Sequence, residues 1–573
     1  MTFHLDLSIA MYPLQNEKLP SIVLSRICMK RENVLLSFLG FCILSACGSS
    51  SSKRPVQIER TESLIWIVCE DQSLFFAQYG DSTAHTPHLN SLADDGTVFD
   101  HMFSVAPVCA PSRSSILTGV LPTSMGSHHM RAYKGNGKGI NQQTGLPLYS
   151  AKAPPHIRAF TEHLRLRGVY CTNNAKEDYN FQTPPMAWDA SSPEAHWQNR
   201  PDGAPFFSVF NVFSTHESRV WKKSNALCDI DPLEVPIPEL LPNGELVRND
   251  VRTNYCNIEQ MDWEIGRILE DLKADGLYDQ SMIMFFSDHG GPFPLYKREL
   301  SDAGLHVPFI VKWPKDVEGP ERNSGMFSFL DLATTALSWL GITPSTILPG
   351  KVILPESSGH EALFGASDRM DEQYDRRRTI RMQNWRLTHN MHPDHIEQIS
   401  FRESMATNAA IDSAASMGLE PWHSWKNEPR PEWQLYNLDQ DAMIPIADSM
   451  LYANSDVLES LSLILDSAFN ETNDFGYFDE AALIDQFHPN GIPDTLTAPE
   501  VSVSDGFITV RHDDPDASLG WKYLNDSSGP WNIVSSGKRI EISDSSSSIV
   551  EVIAARIGWQ HGRSLMEITP HAD

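Results

Sequence analysis

The sequence lacks several features that would each indicate a particular class of protein. Basic residues are in deficit, because 45 Lys and Arg stand against 74 Asp and Glu and give a formal net charge of −29. A nucleic-acid-binding protein needs a basic face to neutralise phosphates, so the charge argues against that partner. After residue 60 no apolar run is long enough to span a bilayer, and there is no internal repeat. The composition is that of a globular protein, in which an anionic substrate requires a local cluster of cations.

Cysteine is scarce and shows no organised spacing. The chain has eight cysteines in 573 residues, with no CxxC pair. An exported protein could oxidise some of them, but the spacings predict neither a dense disulfide framework nor a cysteine metal site. With a leader containing Cys28, Cys42 and Cys47 set aside, five remain: Cys69, Cys109, Cys171, Cys228 and Cys256.

The N-terminal segment has the organisation of an export signal. From Met29, "MKRENVLLSFLGFCILSACGSSSSK" has a basic start, an apolar core from Val34 to Leu44, and Leu-Ser-Ala ahead of Cys47. This resembles a bacterial lipoprotein signal, which implies that Cys47 is lipidated and that the lipid anchor is the chain's only contact with a membrane, in the periplasm or at the cell surface. An uncleaved anchor is the alternative, although the apolar run is short for a span. We interpret residues 1–47 as an over-extended gene start followed by this signal.

The rest of the chain predicts an α/β domain and two smaller regions. Over residues 60–365, "SLIWIVCED", "PFFSVFNVFSTHES" and "SMIMFFSDHGG" are typical of strands buried in a mostly parallel sheet, and "TPHLNSLADDG" and "NIEQMDWEIGRILEDLKADG" predict helices. Over residues 366–488, "RRRTIRMQNWRLTHNM", "EWQLYNLDQD" and "SDVLESLSLILDSAF" predict a smaller α+β subdomain. Residues 499–573 alternate polar and apolar residues, which predicts an appended β-sandwich.

Polar residues follow each of the three apolar runs of the first domain. Glu70 and Asp71 follow the first, His216 the second, and Asp288 and His289 the third. Ligands of α/β sheets bind beyond the carboxyl ends of the strands, so these side chains are expected to meet. Carboxylates with one imidazole suit a divalent cation such as Ca²⁺. Paired acids are more often caps or surface charge, but two pairs on two strands favour a site.

A motif in the first domain resembles that of a known enzyme family. "CAPSRSSILTG", residues 109–119, matches C-x-P-S-R followed three residues later by L-T-G, the signature of type I sulfatases. The similarity covers roughly residues 62–440, and "LPTSMGSHHMR" and "NNAKEDYNF" look most like the branch of heparan N-sulfatase (sulfamidase) and bacterial polysaccharide sulfatases. The resemblance implies an alkaline-phosphatase-like sandwich and oxidation of Cys109 to Cα-formylglycine by a maturation enzyme. A catalytic thiolate or a buried structural cysteine is the ordinary alternative.

The resemblance also implies a role for each site residue. Cys109, as formylglycine, is the expected nucleophile, and Arg113 is expected to stabilise its hydrated form. One Ca²⁺ is expected on five ligands, which are Glu70, Asp71, Cys109, Asp288 and His289. The remaining expected residues are Lys176 and Lys297 on the sulfate oxygens, His128 or its neighbour His129 on the formylglycine hydroxyl, and His216 as general acid.

Some positions depart from the family pattern or carry weaker expectations. Many sulfatases have Asp at position 70, Asn at 289 and Arg at 120, where this chain has Glu70, His289 and Val120. His392, in "NMHPDH", is a candidate substrate-binding residue, with packing in a turn as the alternative. The run at residues 376–378, three arginines, could contact a polyanion, but a solvated strand edge is the preferred interpretation.

The predicted function is hydrolysis of sulfate esters in a sulfated polysaccharide or its oligosaccharides, from an algal glycan or a glycosaminoglycan. Three alternatives stay open. They are an N-sulfoglucosamine sulfohydrolase, a phosphodiesterase or phosphonate hydrolase of the same superfamily, and a non-catalytic lipoprotein that binds sulfated glycans. The expected partners are the glycan and the maturation enzyme, and the C-terminal β-sandwich either binds carbohydrate or only packs.

Overall fold

The structure is a computed structural model that describes residues 62–221, 228–394, 399–441, 443–445, 448–526, 529–541 and 548–568. The predicted leader over residues 1–47, including Cys47, lies outside these ranges. Within the described ranges, no helix combines the length and apolar character that crossing a membrane requires.

A nine-stranded sheet forms the centre of the first domain. Its strands are β1 (Ser63–Cys69), β2 (Thr97–Phe103), β3 (Tyr170–Asn174), β4 (Ala190–Ser191), β5 (Phe206–Val212), β6 (Met282–Ser287), β7 (His306–Val307), β8 (Phe309–Lys312) and β9 (Arg322–Ser328). They follow the order β4-β3-β5-β1-β6-β8-β2-β7, with β9 beside β2. All neighbours from β4 to β6 are parallel, whereas β8 is antiparallel to β6 and β2. The predicted mostly parallel sheet is confirmed.

Helices cover both faces of this sheet, which explains the continuous apolar runs of its strands. In β1, Leu64 and Trp66 belong to the hydrophobic cluster on one face, and Ile65 and Ile67 to the cluster on the other. Every residue of β1 is therefore buried. The helices of this domain are α1 (Pro87–Asp94), α2 (Cys109–Thr118), α3 (Phe160–Arg165), α4 (Ser218–Trp221), α5 (Glu245–Ala274), α6 (Asp302–Leu305) and α7 (Leu330–Trp339).

The next part of the chain forms a four-stranded antiparallel sheet, in which strands that follow one another in the sequence lie side by side. These are β10 (Ala362–Met370), β11 (Gln373–Met382), β12 (Trp385–Asn390) and β13 (Trp433–Asn437). The helices of this region are α8 (Ala406–Ser416), α9 (Trp422–Asn427), α10 (Asp448–Leu451), α11 (Ser455–Glu471) and α12 (Glu480–Phe487). The strands and the long helix α11 expected here are present.

The expectation of a solvated strand edge at residues 376–378 is wrong. These residues lie in β11, which is an inner strand between β10 and β12. Arg377 and Arg378 are buried, and they pair with Glu299 at 2.8 Å and with Asp474 at 2.6 Å respectively. The charges of Arg377 and Arg378 are compensated inside the protein, so two of the three cations of this run do not contribute to a basic surface.

In the described part of the C-terminal region, seven strands form two sheets. One sheet contains β14 (Glu500–Ser504), β15 (Phe507–Arg511) and β18 (Arg539–Glu541); the other contains β16 (Ser518–Tyr523), β17 (Asn532–Val534), β19 (Ser548–Ala555) and β20 (Gly562–Ile568). Val510 of the first sheet and Leu519 and Val552 of the second share one hydrophobic cluster. The two sheets therefore pack face to face, as alternating sequence patterns favour. We call this region the C-terminal module.

Candidate active site

The polar residues of the predicted site lie beyond the carboxyl ends of four adjacent parallel strands. Glu70 and Asp71 follow β1, and Asp288 and His289 follow its neighbour β6. On the other side of β1, His216 lies beyond β5 and Lys176 beyond β3. Because these strands are parallel and adjacent, their loops meet at one edge of the sheet.

Cys109 is the first residue of α2, and its side chain is buried at the centre of this group. Its Sγ lies 3.3 Å from Nε2 of His289, 3.6 Å from Nζ of Lys297 and 3.9 Å from Oδ1 of Asp71. The hydroxyl of Ser112, one turn into α2, donates to the main-chain oxygen of Asp288 at 2.6 Å. That bond fixes the start of α2 to the end of β6.

The expected metal ligands form two overlapping groups rather than one. Glu70, Asp71, Cys109 and His216 form the first, and Asp71, Cys109, Asp288 and His289 the second; within each group the ligand atoms lie within 4.8 Å of one another. Among the described residues, Oε1 of Glu70 is buried and accepts no hydrogen bond. Nη2 of Arg113 lies 3.7 Å from this oxygen. A buried, oxygen-rich set in which a carboxylate oxygen accepts no hydrogen bond fits a hard divalent cation.

The pKa values of the acids and of the histidine in this set are shifted from their ordinary values. Burial opposes ionisation of Asp71, but Lys297, His216 and His289 outweigh it and hold its pKa well below the ordinary range. For Asp288 the charges of His289 and Arg113 likewise overcome burial and lower the pKa to about 2. Burial lowers the pKa of His289, yet Asp288, Cys109 and Asp71 raise it to about 10. The pKa of Glu70 is raised, since burial exceeds the opposing effects of Lys176 and Arg113.

Three cations surround Cys109 and stay charged. Nζ of Lys176 lies 2.8 Å from Glu70, Nζ of Lys297 2.8 Å from Asp71, and Nε of Arg113 3.0 Å from Asp288. Burial disfavours each charge, but the neighbouring anions raise all three pKa values above their ordinary range. Fixed positive charges in a buried site suit a bound oxyanion such as a sulfate group.

His216 presents one ring nitrogen to the site. Its Nδ1 lies 2.8 Å from Oγ of Ser218, and in the neutral ring it accepts a hydrogen bond from the main-chain N–H of Ser218 at 3.2 Å while the proton is on Nε2. Nε2 lies 4.0 Å from Oε2 of Glu70, and 14% of the side chain is exposed. Burial lowers the pKa of His216, and the neighbouring acids only partly oppose it. Its position and partial exposure suit proton transfer at the mouth of the site.

Glu217 is a buried acid of the site that sequence reasoning missed. Its carboxylate lies 2.8 Å from Nζ of Lys297 and accepts two bonds of 3.0 Å from Arg298. Its main-chain N–H donates to Oδ2 of Asp71 at 2.7 Å. Burial opposes its charge, but Arg298 and Lys297 lower its pKa to about 2. Its only sequence signal was its place directly after His216.

Three other predicted residues, His128, His129 and His392, are linked to one another by ring contacts through Tyr374. The rings of His128 and His129 are 4.1 Å apart, and within the described chain neither ring nitrogen of His128 has a hydrogen-bond partner. Burial lowers the pKa of His128, and the acid that opposes this most strongly is Asp368 rather than a residue of the site. The ring of His392 lies 5.8 Å from that of Tyr374, which in turn lies 5.3 Å from His129.

Comparisons with known proteins agree on one family. A family model described as Sulfatase matches residues 62–153 and 159–342. A curated protein of Formosa agariphila named ulvan-active sulfatase is 32% identical over 587 residues, which cover 93% of this chain and 97% of that protein. The human N-sulphoglucosamine sulphohydrolase is 24% identical over 428 residues, covering 67% and 84% of the two chains.

The same fold occurs in solved structures of low sequence identity. A structure described as a 2-O GAG sulfatase superposes with a TM-score of 0.54 at 15% identity, covering 73% of this chain and 93% of that one. A protein solved with its substrate D-glucosamine-2-N,6-O-disulfate gives a TM-score of 0.52 at 16% identity, covering 74% of this chain and 100% of that one. The α/β architecture predicted from the sequence therefore also occurs in these solved structures.

Proposed function

The chain belongs to the sulfatase family of sulfuric ester hydrolases, and on that premise we propose that it hydrolyses sulfate esters of a sulfated algal polysaccharide or its oligosaccharides. The observation that carries the proposal is the placement of Arg113, Lys176 and Lys297 around Cys109. A substrate of the ulvan type is supported by the name of the Formosa agariphila relative, which spans nearly the whole chain.

We further propose that Cys109 is oxidised to formylglycine by a maturation enzyme and that Ca²⁺ is the metal. Glu70, Asp71, Asp288 and His289 would hold the ion together with the modified residue 109. When present, the hydrated aldehyde supplies a nucleophilic hydroxyl and the ion supplies positive charge beside it. Sulfatases are generally metal-dependent formylglycine enzymes, and the buried oxygen donors here match that requirement.

The chain's own residues prepare the substrate for attack. Lys176 and Lys297 hold the sulfate oxygens, because their ammonium groups are fixed by Glu70 and Asp71 before substrate arrives. Arg113, held by Asp288 and by a 2.6 Å bond to Asn211, orients residue 109. These fixed cations lower the repulsion between the sulfate and an incoming oxygen nucleophile.

His216 is the proposed general acid toward the leaving oxygen. As an imidazolium, His216 donates its Nδ1–H to Oγ of Ser218 at 2.8 Å, and its Nε2–H can pass to the leaving oxygen as the sulfur–oxygen bond breaks, which leaves a neutral ring. Because the pKa of His216 is lowered, its protonated ring is a stronger acid than an ordinary imidazolium. The alcohol then leaves neutral rather than as an alkoxide.

An N-sulfate is a second candidate substrate group. It is favoured by one specific observation, the 24% identity over 428 residues to the human N-sulphoglucosamine sulphohydrolase. The same cations and general acid would serve an amine leaving group. The higher identity and coverage of the ulvan-active relative favour O-sulfate.

For its location, we propose an exported lipoprotein anchored through Cys47 at the periplasmic or cell surface. The support is the leader sequence itself, with its basic start, apolar core and Leu-Ser-Ala-Cys ending. Radiolabelled palmitate should enter the wild-type protein in its host and should not enter a Cys47→Ala variant.

The decisive experiment is the mass of the tryptic peptide that carries Cys109, after co-expression with a formylglycine-generating enzyme. Conversion of the thiol to an aldehyde is expected to lower that mass by about 18 Da. The matured protein should then release sulfate from ulvan oligosaccharides faster than from N-sulfoglucosamine, and a Cys109→Ala variant should release none. An unmodified thiol combined with undiminished sulfate release would refute the proposed nucleophile.

A further inference from the structure

A wide cleft lies directly beside the cation cluster, and the C-terminal module forms part of its wall. The cleft has a volume of about 800 Å³ and is lined by the segment that follows Lys176, by the loop around Tyr133, and by Pro530 and Trp531 just before β17. Asp178 joins the two sites, since it lines the cleft and its Oδ2 is 4.0 Å from Nζ of Lys176. A volume of this size accommodates a sugar unit.

One buried arginine fixes the module's contribution to the cleft. Nη2 of Arg165 donates to the main-chain oxygen of Trp531 at 2.6 Å and to Asp189 at 2.8 Å. Its Nη1 donates to the main-chain oxygen of Met186 at 2.6 Å. Met186 also packs in a hydrophobic cluster with Trp531 and with Ile553 of β19. The module is thus joined to the catalytic domain at the cleft, and Trp531 is a fixed part of the wall.

The side chains of the cleft suit an uncharged sugar better than a second anion. Tyr133, Trp188 and Trp531 supply aromatic rings, against which the apolar face of a pyranose packs. The carboxylates of Glu177 and Asp178 can accept hydrogen bonds from sugar hydroxyls, whereas Asp189 is paired with Arg165 at 2.8 Å. Lys134 is the one cation among the lining residues, and Nζ of Lys522 lies 4.7 Å from the ring centre of Trp531. The charges of the cleft are thus close to balanced, so the cleft has no surplus of cations to hold a neighbouring sulfate or uronate.

We infer that this cleft binds the uncharged sugar residue adjacent to the sulfated one in the polysaccharide, and that Trp531 of the C-terminal module is a specificity-determining residue. The inference rests on the proposed function, because it places the sulfated residue at Cys109. It assigns the module a direct part in substrate recognition within the active-site region.

The test is calorimetric binding to the full-length Cys109→Ala protein, which removes turnover from the measurement. The probes are sulfated oligosaccharides with a uronic acid beside the sulfated residue, before and after chemical reduction of the uronic carboxyl group. The reduced, uncharged probe should bind about tenfold more tightly than the acidic one. Trp531→Ala should weaken binding of the reduced probe about tenfold, and Trp531→Phe should retain most of the affinity.

The control is Trp263→Ala, which deletes the same side chain at a position on α5 that is 55% exposed and outside the cleft. It should leave the affinity unchanged. Equal affinity for the two probes, or unaltered binding by Trp531→Ala, would overturn the inference. An equal loss of affinity in Trp531→Ala and Trp531→Phe would also overturn the inference, because phenylalanine keeps an aromatic ring and the loss would then have another cause.

Turnover separates this inference from the proposed function. In the matured enzyme, Trp531→Ala should raise KM for the oligosaccharide by a factor about ten times larger than its effect on 4-nitrophenyl sulfate, which has no neighbouring sugar. If the wild-type protein released no sulfate from any probe, the proposed function would fail. The binding preference and the Trp531 effect would still support the cleft as a sugar site.

Discussion

Replacing Glu217 by Gln should show that this residue positions Lys297. The carboxylate holds Lys297 at 2.8 Å and Arg298 by two bonds of 3.0 Å, in a place where all three side chains are buried. Glutamine keeps the shape but removes the charge, and it turns an amide donor toward one of the two cations. Removing one partner of a buried ion pair costs 3–5 kcal/mol, and we expect about 3 kcal/mol because both cations keep another carboxylate.

The effect on catalysis should follow from displacement of the ammonium group. Removing one preorganised donor to a developing anion costs about 100- to 1000-fold in rate, so a displaced Lys297 should lower kcat/KM on an aryl sulfate about 100-fold. Denaturant unfolding gives the free energy of unfolding, and initial rates of the matured enzyme give kcat/KM. Glu480→Gln is the matched control, because Glu480 is also buried and accepts two bonds, at 2.6 and 2.7 Å, from Arg369.

A double-mutant cycle decides whether Glu217 acts through Lys297. If it does, Glu217→Gln combined with Lys297→Ala should cost no more activity than Lys297→Ala alone. The control Glu480→Gln should lose similar stability while keeping its activity within about twofold. Independent, additive losses in the double variant, or an equal loss of activity in the control, would refute the positioning role.

Three further predictions concern protonation, metal and covalent structure. Burial raises the pKa of Glu162 from 4.5 to about 7 against the opposing charge of Arg158, so its contribution to stability is present below about pH 4.5 and is lost as pH rises through 7. Glu162→Gln should therefore match wild type at pH 4 and exceed it by up to about 3 kcal/mol at pH 8, and identical pH profiles of unfolding would contradict this. Exhaustive chelation should abolish sulfate release and lower Tm, with recovery on adding Ca²⁺, because a bound cation offsets the mutual repulsion of the clustered carboxylates and stabilises the folded state by binding to it; full activity without metal would argue against the assigned site. Cys228 and Cys256 form a disulfide across 28 residues, and replacing both by Ser should lower the free energy of unfolding by about 3–4 kcal/mol in chemical denaturation.

Sequence reasoning found the residues that chain order and strand periodicity place together. The acids after β1 and β6 could be predicted to meet, because continuous apolar runs implied adjacent parallel strands with a common carboxyl edge. Lys176, Lys297 and Cys109 came from the resemblance to sulfatases, since no local pattern links them. The structure places all three within one network of contacts.

Other features depend on packing that the sequence does not encode locally. The arginines at 377 and 378 resembled a surface charge run because their partners, Glu299 and Asp474, are 78 and 96 residues away. Glu217 was hidden for a similar reason, since the partners of its side chain follow β6 while it follows β5. Long-range compensation of buried charge is a property of the fold, and alternation of residue types carries no information about it.

The three bonds of Arg165 have a consequence for how such enzymes can be recombined. A carbohydrate-binding domain on a flexible linker can be exchanged between enzymes without altering catalysis, because the linker carries no structural information. Here a graft of a foreign C-terminal module would remove the main-chain oxygen of Trp531, one of the three acceptors of the buried Arg165 guanidinium, and would leave Met186 without its apolar cover. Exchange of modules among relatives would therefore require matched changes on both sides of the junction, so the two parts are expected to have evolved as one unit.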